Sequence, residues 1–184
     1  MDSVAIVLLA GGAASRFPGK LERRIDGRPM LARSFDRLRG SGHPIYVAAG
    51  GSFVPELDAE LDAPLLVDRH PGCGPLHAFL DACALIRADR LFAVAADQPN
   101  VDAALIDRLS AAWSQGDEAV VPEHDGKIEP LAAAYDRRAA LREGFELRAS
   151  RKHAVRDLVA RLRVHFVSCE REYFHNVNRP EDLP

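Results

Sequence analysis

Two textures of apolar residues alternate along the chain. The run Val4-Ala5-Ile6-Val7-Leu8-Leu9 is continuously apolar and rich in β-branched side chains, the pattern of a strand buried on both faces. Met30, Leu31, Ser34, Phe35 and Leu38 then recur at helical spacing. Pro29 falls in the first turn of that helix, and Gly40 and Gly42 supply its stop. The alternation repeats as a strand over 45–49, a short helix over 54–61 and a strand over 64–68. A helix over 75–87 gathers Leu76, Phe79, Leu80, Cys83 and Ile86 on one side, and a third apolar strand covers 91–96. Asp102 is placed to cap a helix running through Leu105, Ile106, Leu109 and Trp113. Strands over 118–121 and 131–135, a helix near 152–162 and a strand over 164–168 follow. Such alternation predicts an α/β fold, a three-layer α/β/α sandwich around a mostly parallel sheet of Rossmann-like type. No low-complexity linker or internal repeat divides the chain, so residues 1–184 are expected to form a single domain.

In such sheets ligands sit beyond the carboxyl ends of the strands. Gly11-Gly12, Asp68 and Asp97 each follow a predicted strand directly, which puts them along one edge. Glycines in that position let backbone N–H groups approach phosphate oxygens without a Cβ in the way. Arg16 and Lys20 could then neutralise a polyphosphate, the arginine as a planar fork and the lysine as a point charge. The loop is neither of two familiar phosphate fingerprints. Gly11 and Gly12 are adjacent, which breaks GxGxxG; Ala14 and Leu21 break the Walker A pattern around Lys20. In isolation, a glycine turn with two surface cations is the preferred reading of it.

Composition narrows the function classes. Hydrophobic residues make up 47% and charged residues 28% of the 184, which is neither a disordered nor a membrane composition. The run ending at Ala10 is too short to span a bilayer and lacks the flanks of a signal peptide. The three cysteines, Cys73, Cys83 and Cys169, are scattered and form no CxxC pair, which fits a reducing cytoplasm better than a disulfide scaffold or structural zinc. A net charge of -3 without a basic stripe argues against nucleic-acid binding. The basic stretches 148–153 and 161–163 read as solvated helix faces, with a bound phosphate as the alternative. His70, His77 and His124 lack metal-ligand spacing and read as surface or loop residues.

Five short motifs, in order, give the edge residues a common meaning. They are the strand leading into Leu9-Ala10-Gly11-Gly12 with Arg16 and Lys20; Asp68 with Gly74-Pro75-Leu76; Asp97-Gln98-Pro99; Asp125-Gly126 with Pro130-Leu131 and Tyr135; and Asn176-Val177-Asn178 with Pro180-Glu181-Asp182-Leu183. Together they resemble the nucleotidyltransferase family that includes the molybdenum cofactor guanylyltransferases, over nearly the whole chain. The resemblance implies that Leu9, Ala10, Gly11 and Gly12 contact the nucleotide through their backbone. It gives Lys20 and Arg16 the phosphates, Asp68 the nucleoside, and Asp97 a magnesium ion. Gly74, Pro75, Leu76, Asn176 and Asn178 would lie towards the acceptor. Plainer readings stand beside these: a turn or helix-approach residue at Asp97, a turn aspartate at 68 paired with Arg69 or His70, and an Asx-turn at Asn176 and Asn178.

The implied reaction transfers GMP from GTP to the terminal phosphate of molybdenum-bound molybdopterin, with Mg²⁺ as cofactor and pyrophosphate as product. Alternatives within the class are a cytidylyltransferase for the same acceptor and enzymes acting on a cobinamide phosphate or sugar phosphate. Outside it stands a non-catalytic nucleotide-binding module on the same fold. The expected partners are GTP and a molybdopterin-type phosphorylated acceptor, with transient contacts to proteins that supply or receive it. The protein is expected to be a cytoplasmic monomer, engaging neither nucleic acid nor membrane. The chain departs from the family pattern in its short Phe17-Pro18-Gly19 segment, in Ala49-Gly50-Gly51 where an asparagine is common, and in Glu129 where many relatives carry glutamine.

Overall fold

Successive residues of the first strand point to opposite faces of a sheet, and both faces are dry. The computed structural model describes residues 2–11, 20–50, 61–70, 72–151 and 153–182. Within it, Ala5, Val7 and Leu9 of β1 (Val4–Leu9) pack with Leu76, Phe79, Leu80 and Leu158. Ile6 and Leu8 pack on the other side with Leu31, Phe35, Leu105 and Ile106. The first layer of helices is α2 (Pro75–Leu85), α4 (Arg137–Ala149) and α5 (Val155–Val159); the second is α1 (Met30–Arg39) and α3 (Ala103–Ala112).

Between them, the described strands are β4 (Ile45–Ala49), β5 (Leu65–Val67), β6 (Arg90–Ala95), β7 (Ala119–His124), β8 (Lys127–Ile128), β9 (Ala132–Asp136) and β10 (Val164–Ser168). With β1 they form a sheet in the order β10-β7-β9-β6-β1-β4-β5, and β8 pairs with β7. β1 runs parallel to β4 and β6, with Leu9 opposite Ala48 and Ala95. β9 is antiparallel to both neighbours, with Ala134 opposite Phe92 and Val120. The sandwich is thus the predicted one, with a mixed, mostly parallel sheet. A separate hairpin, β2 (Arg24–Ile25) and β3 (Arg28–Pro29), turns on Asp26-Gly27. Both turn residues have positive φ, 52° and 79°, as a two-residue hairpin turn of this twist requires.

Local signals placed most elements. Asp102 caps α3 by accepting the Leu105 N–H at 3.2 Å. Pro29, expected in the first turn of α1, instead ends β3 and stands at the N-cap with extended dihedrals. The helix expected over 152–162 is the shorter α5, and the one expected over 54–61 lies almost entirely outside the described residues. The longest described helix, α4, was not anticipated. Its buried positions are Ala139, Ala140, Gly144 and Leu147, mostly small residues that give little hydrophobic contrast. Close packing on α2 demands that smallness: a Cβ on Gly144 would lie 2.3 Å from a Leu80 methyl carbon.

Glu118, just before β7, joins α4 to the sheet. Its Oε1 accepts from Arg142 at 2.8 Å and its Oε2 from the Arg163 N–H at 3.0 Å. Burial alone would raise this carboxyl, but the Arg163 N–H and the Arg142 guanidinium outweigh it and hold it below the usual carboxylate range. A depressed folded-state value means stability is present above the unfolded value, about 4.3, and is lost as pH falls through the folded value. Urea midpoints of Glu118→Gln should therefore fall below wild type at neutral pH and converge with it in acid. A gap that persists below about pH 3 would exclude ionisation of Glu118 as its cause.

Candidate functional site

Backbone hydrogen bonds draw the predicted edge residues together. The Ala10 N–H donates to Ala48 O at 2.8 Å, extending the β1–β4 ladder past Leu9. On the other side of β1, the Ala96 N–H donates to Leu9 O at 3.1 Å, which brings the turn after β6 against the loop after β1. The Asp68 N–H donates to Ala49 O at 2.8 Å. Asp68 then turns towards the glycine loop: a Cβ on Gly11 would lie 3.9 Å from its Oδ2 and 3.7 Å from the Gly50 nitrogen.

The Asp97 turn is braced from several directions. Ser34, buried on α1, donates its hydroxyl to Ala96 O at 3.1 Å. Arg37 donates to Asn100 O and to Asp102, and Asn100 donates to Glu172 O at 2.8 Å. The Val177 N–H donates to Asp97 O at 2.9 Å, so the C-terminal segment lies directly on the turn. Val177 itself is fully buried with Ile25 and Met30, leaving Asn176 and Asn178 exposed on either side of it. Asp182 fixes that segment by accepting the N–H groups of Asn178 and Arg179. The Asn178 N–H is the main cause that holds the Asp182 carboxyl below its ordinary range. Lys20 opens a 3-10 turn, Lys20–Glu22, whose Leu21 packs on the Ile25–Met30–Val177 cluster. The Lys20 turn and the Asn-Val-Asn segment therefore share an anchor. Gly12 and Arg16 lie outside the described residues.

Gly74-Pro75-Leu76 starts α2, with Pro75 in its first turn and Leu76 fully buried. The Leu76 N–H donates to His153 O at 3.3 Å. This turn connects to Asp68 through side chains. His70 donates its backbone N–H to Asp68 Oδ1 at 2.8 Å, and its Nδ1 lies 3.1 Å from Asp81 Oδ2 on α2. Arg148 of α4 binds Asp81 Oδ1 at 2.6 Å and His77 O at 2.7 Å. Burial would raise the Asp81 carboxyl, but hydrogen bonds from Arg148 and His70 prevail and lower it. Ligand atoms of Asp68, His70 and Asp81 all lie within 4.8 Å of one another, a donor set that a divalent ion could use. Arg148 already neutralises Asp81, however, and the chain Arg148–Asp81–His70–Asp68 acts as a strut for Asp68.

The family model for the MobA-like NTP transferase domain matches residues 6–167. The chain belongs to this family. Relatives along its full length include the probable molybdenum cofactor guanylyltransferase of a Geobacillus species, 25% identical over 192 residues and matched over 97% of its own length. The molybdenum cofactor guanylyltransferase of Desulfosudis oleivorans is 29% identical over 203 residues, covering 100% of this chain and 94% of that protein. Among solved structures, molybdopterin-guanine dinucleotide biosynthesis protein A from Archaeoglobus fulgidus superposes with a TM-score of 0.81 at 22% identity, covering 97% of this chain and 94% of that one. A 4-diphosphocytidyl-2C-methyl-D-erythritol synthase from Anaerococcus prevotii shares the fold with a TM-score of 0.76 at 11% identity, over 99% and 95% of the two chains.

In this MobA-like domain several site neighbours escaped the reading of the sequence. His77 and His124 are not surface or loop residues: His77 is buried in α2, and the His124 side chain, at the end of β7, is 9% exposed. His124 stacks on Phe174 at 5.1 Å and 14° and meets Glu129. Arg148, read as part of a solvated face, is instead spent on Asp81. The one signal that could have found the His124–Glu129 pair is Asp125-Gly126, whose positive φ values fold β8 back on β7.

Proposed function

We propose that this nucleotidyltransferase-family chain transfers GMP from GTP to the terminal phosphate of a molybdenum-bound molybdopterin, releasing pyrophosphate. The observation that carries the reading is the Val177–Asp97 backbone bond, which seats Asn176 and Asn178 beside the aspartate that follows the central strand β6. The names of the full-length relatives favour guanine and molybdopterin as the substrate pair.

The nucleotide would lie across the loop after β1, with backbone groups of Leu9 to Gly12 on its phosphates and Asp68 on its nucleoside. Lys20 and Arg16 would neutralise phosphate charge. Asp97 fits Mg²⁺ in its chemistry: this ion takes hard oxygens, typically one or two carboxylates with substrate phosphates and water. When bound, Mg²⁺ would supply charge stabilisation on the phosphates. An oxygen of the acceptor phosphate forms the new bond to the α-phosphorus as the bond to the pyrophosphate oxygen breaks. That nucleophile is already anionic near neutral pH, so the chain needs no general base. Its contribution is alignment and preorganised positive charge. Gly74, Pro75, Leu76, Asn176 and Asn178 would guide the acceptor.

No helix among the described residues is long and apolar enough to cross a membrane, and Cys73, Cys83 and Cys169 are free thiols. A thermal-shift panel of GTP, CTP, ATP and UTP with Mg²⁺ tests the nucleotide. At a hundredfold excess over its dissociation constant, GTP should add about 2.7 kcal/mol. For a domain of this size that amounts to a rise of about 5–11 °C in midpoint. Equal shifts for all four would sink the guanine assignment and leave nucleotidyl transfer standing.

A further inference from the structure

Glu129, at the entrance to β9, stands between the two segments that carry the site. Its Oε2 accepts from Gln98 Nε2 at 3.2 Å, and its Oε1 meets His124 Nε2 at 2.9 Å. Gln98 directly follows Asp97. His124 lies flat on Phe174, which precedes Asn176 by two residues. A carboxylate oxygen accepts, so Glu129 selects the amide face of Gln98, and it accepts from His124 in the tautomer that carries its hydrogen on Nε2. Gln98 is 2% exposed and the Glu129 side chain 17% exposed, so these bonds form where water competes poorly. Among the described residues Gln98 Oε1 has no hydrogen-bond partner, which leaves the bond to Glu129 as what orients this side chain.

We propose that Glu129 is a positioning residue that locks the Asp97 turn to the Phe174–Asn178 segment, so that both face the metal–nucleotide complex in one geometry. It touches neither substrate nor metal and acts through Gln98 on one side and His124 on the other. The inference rests on the functional reading above, in which Asp97 holds a divalent ion.

The test uses Mn²⁺ as the probe, with its binding to the intact protein followed by electron paramagnetic resonance in the presence of a non-hydrolysable α,β-methylene GTP. Glu129→Ala removes the hub. Gln98→Met removes one spoke with an apolar side chain of similar size, and decides the matter alone if Glu129→Ala does not fold. Each should weaken Mn²⁺ about 10- to 100-fold, the usual effect of removing a group that orients a metal ligand. Binding of the analogue without metal should stay as in wild type, which a general loss of structure would not allow. Glu129→Gln should retain most of the Mn²⁺ affinity, because its amide can keep both hydrogen bonds if His124 switches tautomer. Wild-type Mn²⁺ affinity in either folded variant, Glu129→Ala or Gln98→Met, overturns the proposal while leaving the functional reading intact. If the wild-type protein takes up no Mn²⁺ with nucleotide, the functional reading fails and the inference falls with it.

Discussion

Asp97→Asn is expected to reduce pyrophosphate release by about 10³-fold, the scale of losing a preorganised charge partner at a reacting phosphate. The substitution keeps the shape of the side chain and leaves the backbone carbonyl that accepts the Val177 N–H untouched. The turn is also braced by the hydroxyl of Ser34 on Ala96 O and by Arg37 on Asn100 O, none of which involves the Asp97 carboxylate. These bonds should hold the turn in the folded protein while turnover collapses. The nucleotide should still bind through the loop after β1 and Asp68, so half-saturating GTP should change much less than kcat. Turnover at the wild-type rate in a folded Asp97→Asn protein would remove Asp97 from the chemistry and require another metal ligand. Equal losses in midpoint and turnover would make the residue structural.

The largest effect on stability is expected from Gly74→Ala. Gly74 has φ 84° and ψ 170°, a region open in practice to glycine alone. An added Cβ would lie 2.9 Å from the His153 carbonyl oxygen and 3.1 Å from its Cβ. Backbone strain of this kind costs about 1–3 kcal/mol. The carbonyl cannot simply rotate away, because it accepts the Leu76 N–H. A total near 3 kcal/mol corresponds to a fall of about 6–12 °C in midpoint for a chain of this length. The disturbance starts at the first turn of α2, which also carries Asp81, so affinity for nucleotide should fall as the strut to Asp68 loosens. A midpoint unchanged from wild type would show that the turn into α2 has another conformation.

How far the sequence could be read depended on the range of each interaction. Val4–Leu9 was legible because a doubly buried parallel strand is apolar throughout, and Asp102 because a cap acts on an N–H three residues away. The edge holding Leu9, Asp68 and Asp97 was legible because topology alone sends the ends of parallel strands to one side. α4 was not, since its contact with α2 selects small residues whose periodicity is faint. The partners of His124 and Arg148 were equally hidden. Each depends on a side chain brought close by sheet order or helix packing: Phe174 lies 50 residues from His124, and Asp81 lies 67 from Arg148. The number of motifs in order made the family readable, whereas the supports of each aspartate came only from the fold.

The reversed strand β9 has a consequence for how this site can vary. A parallel strand reaches the carboxyl edge at its end, and the chain must then cross back through a helix. β9 runs the other way, so the chain reaches that edge through the β7–β8 hairpin and touches it with the residues that enter the strand. The rim beside Asp97 is therefore built by a short loop anchored at both ends in the sheet. Lengthening or shortening that loop would reshape the rim beside Asp97 without moving any helix, which makes rim length and sheet stability separately adjustable in this architecture.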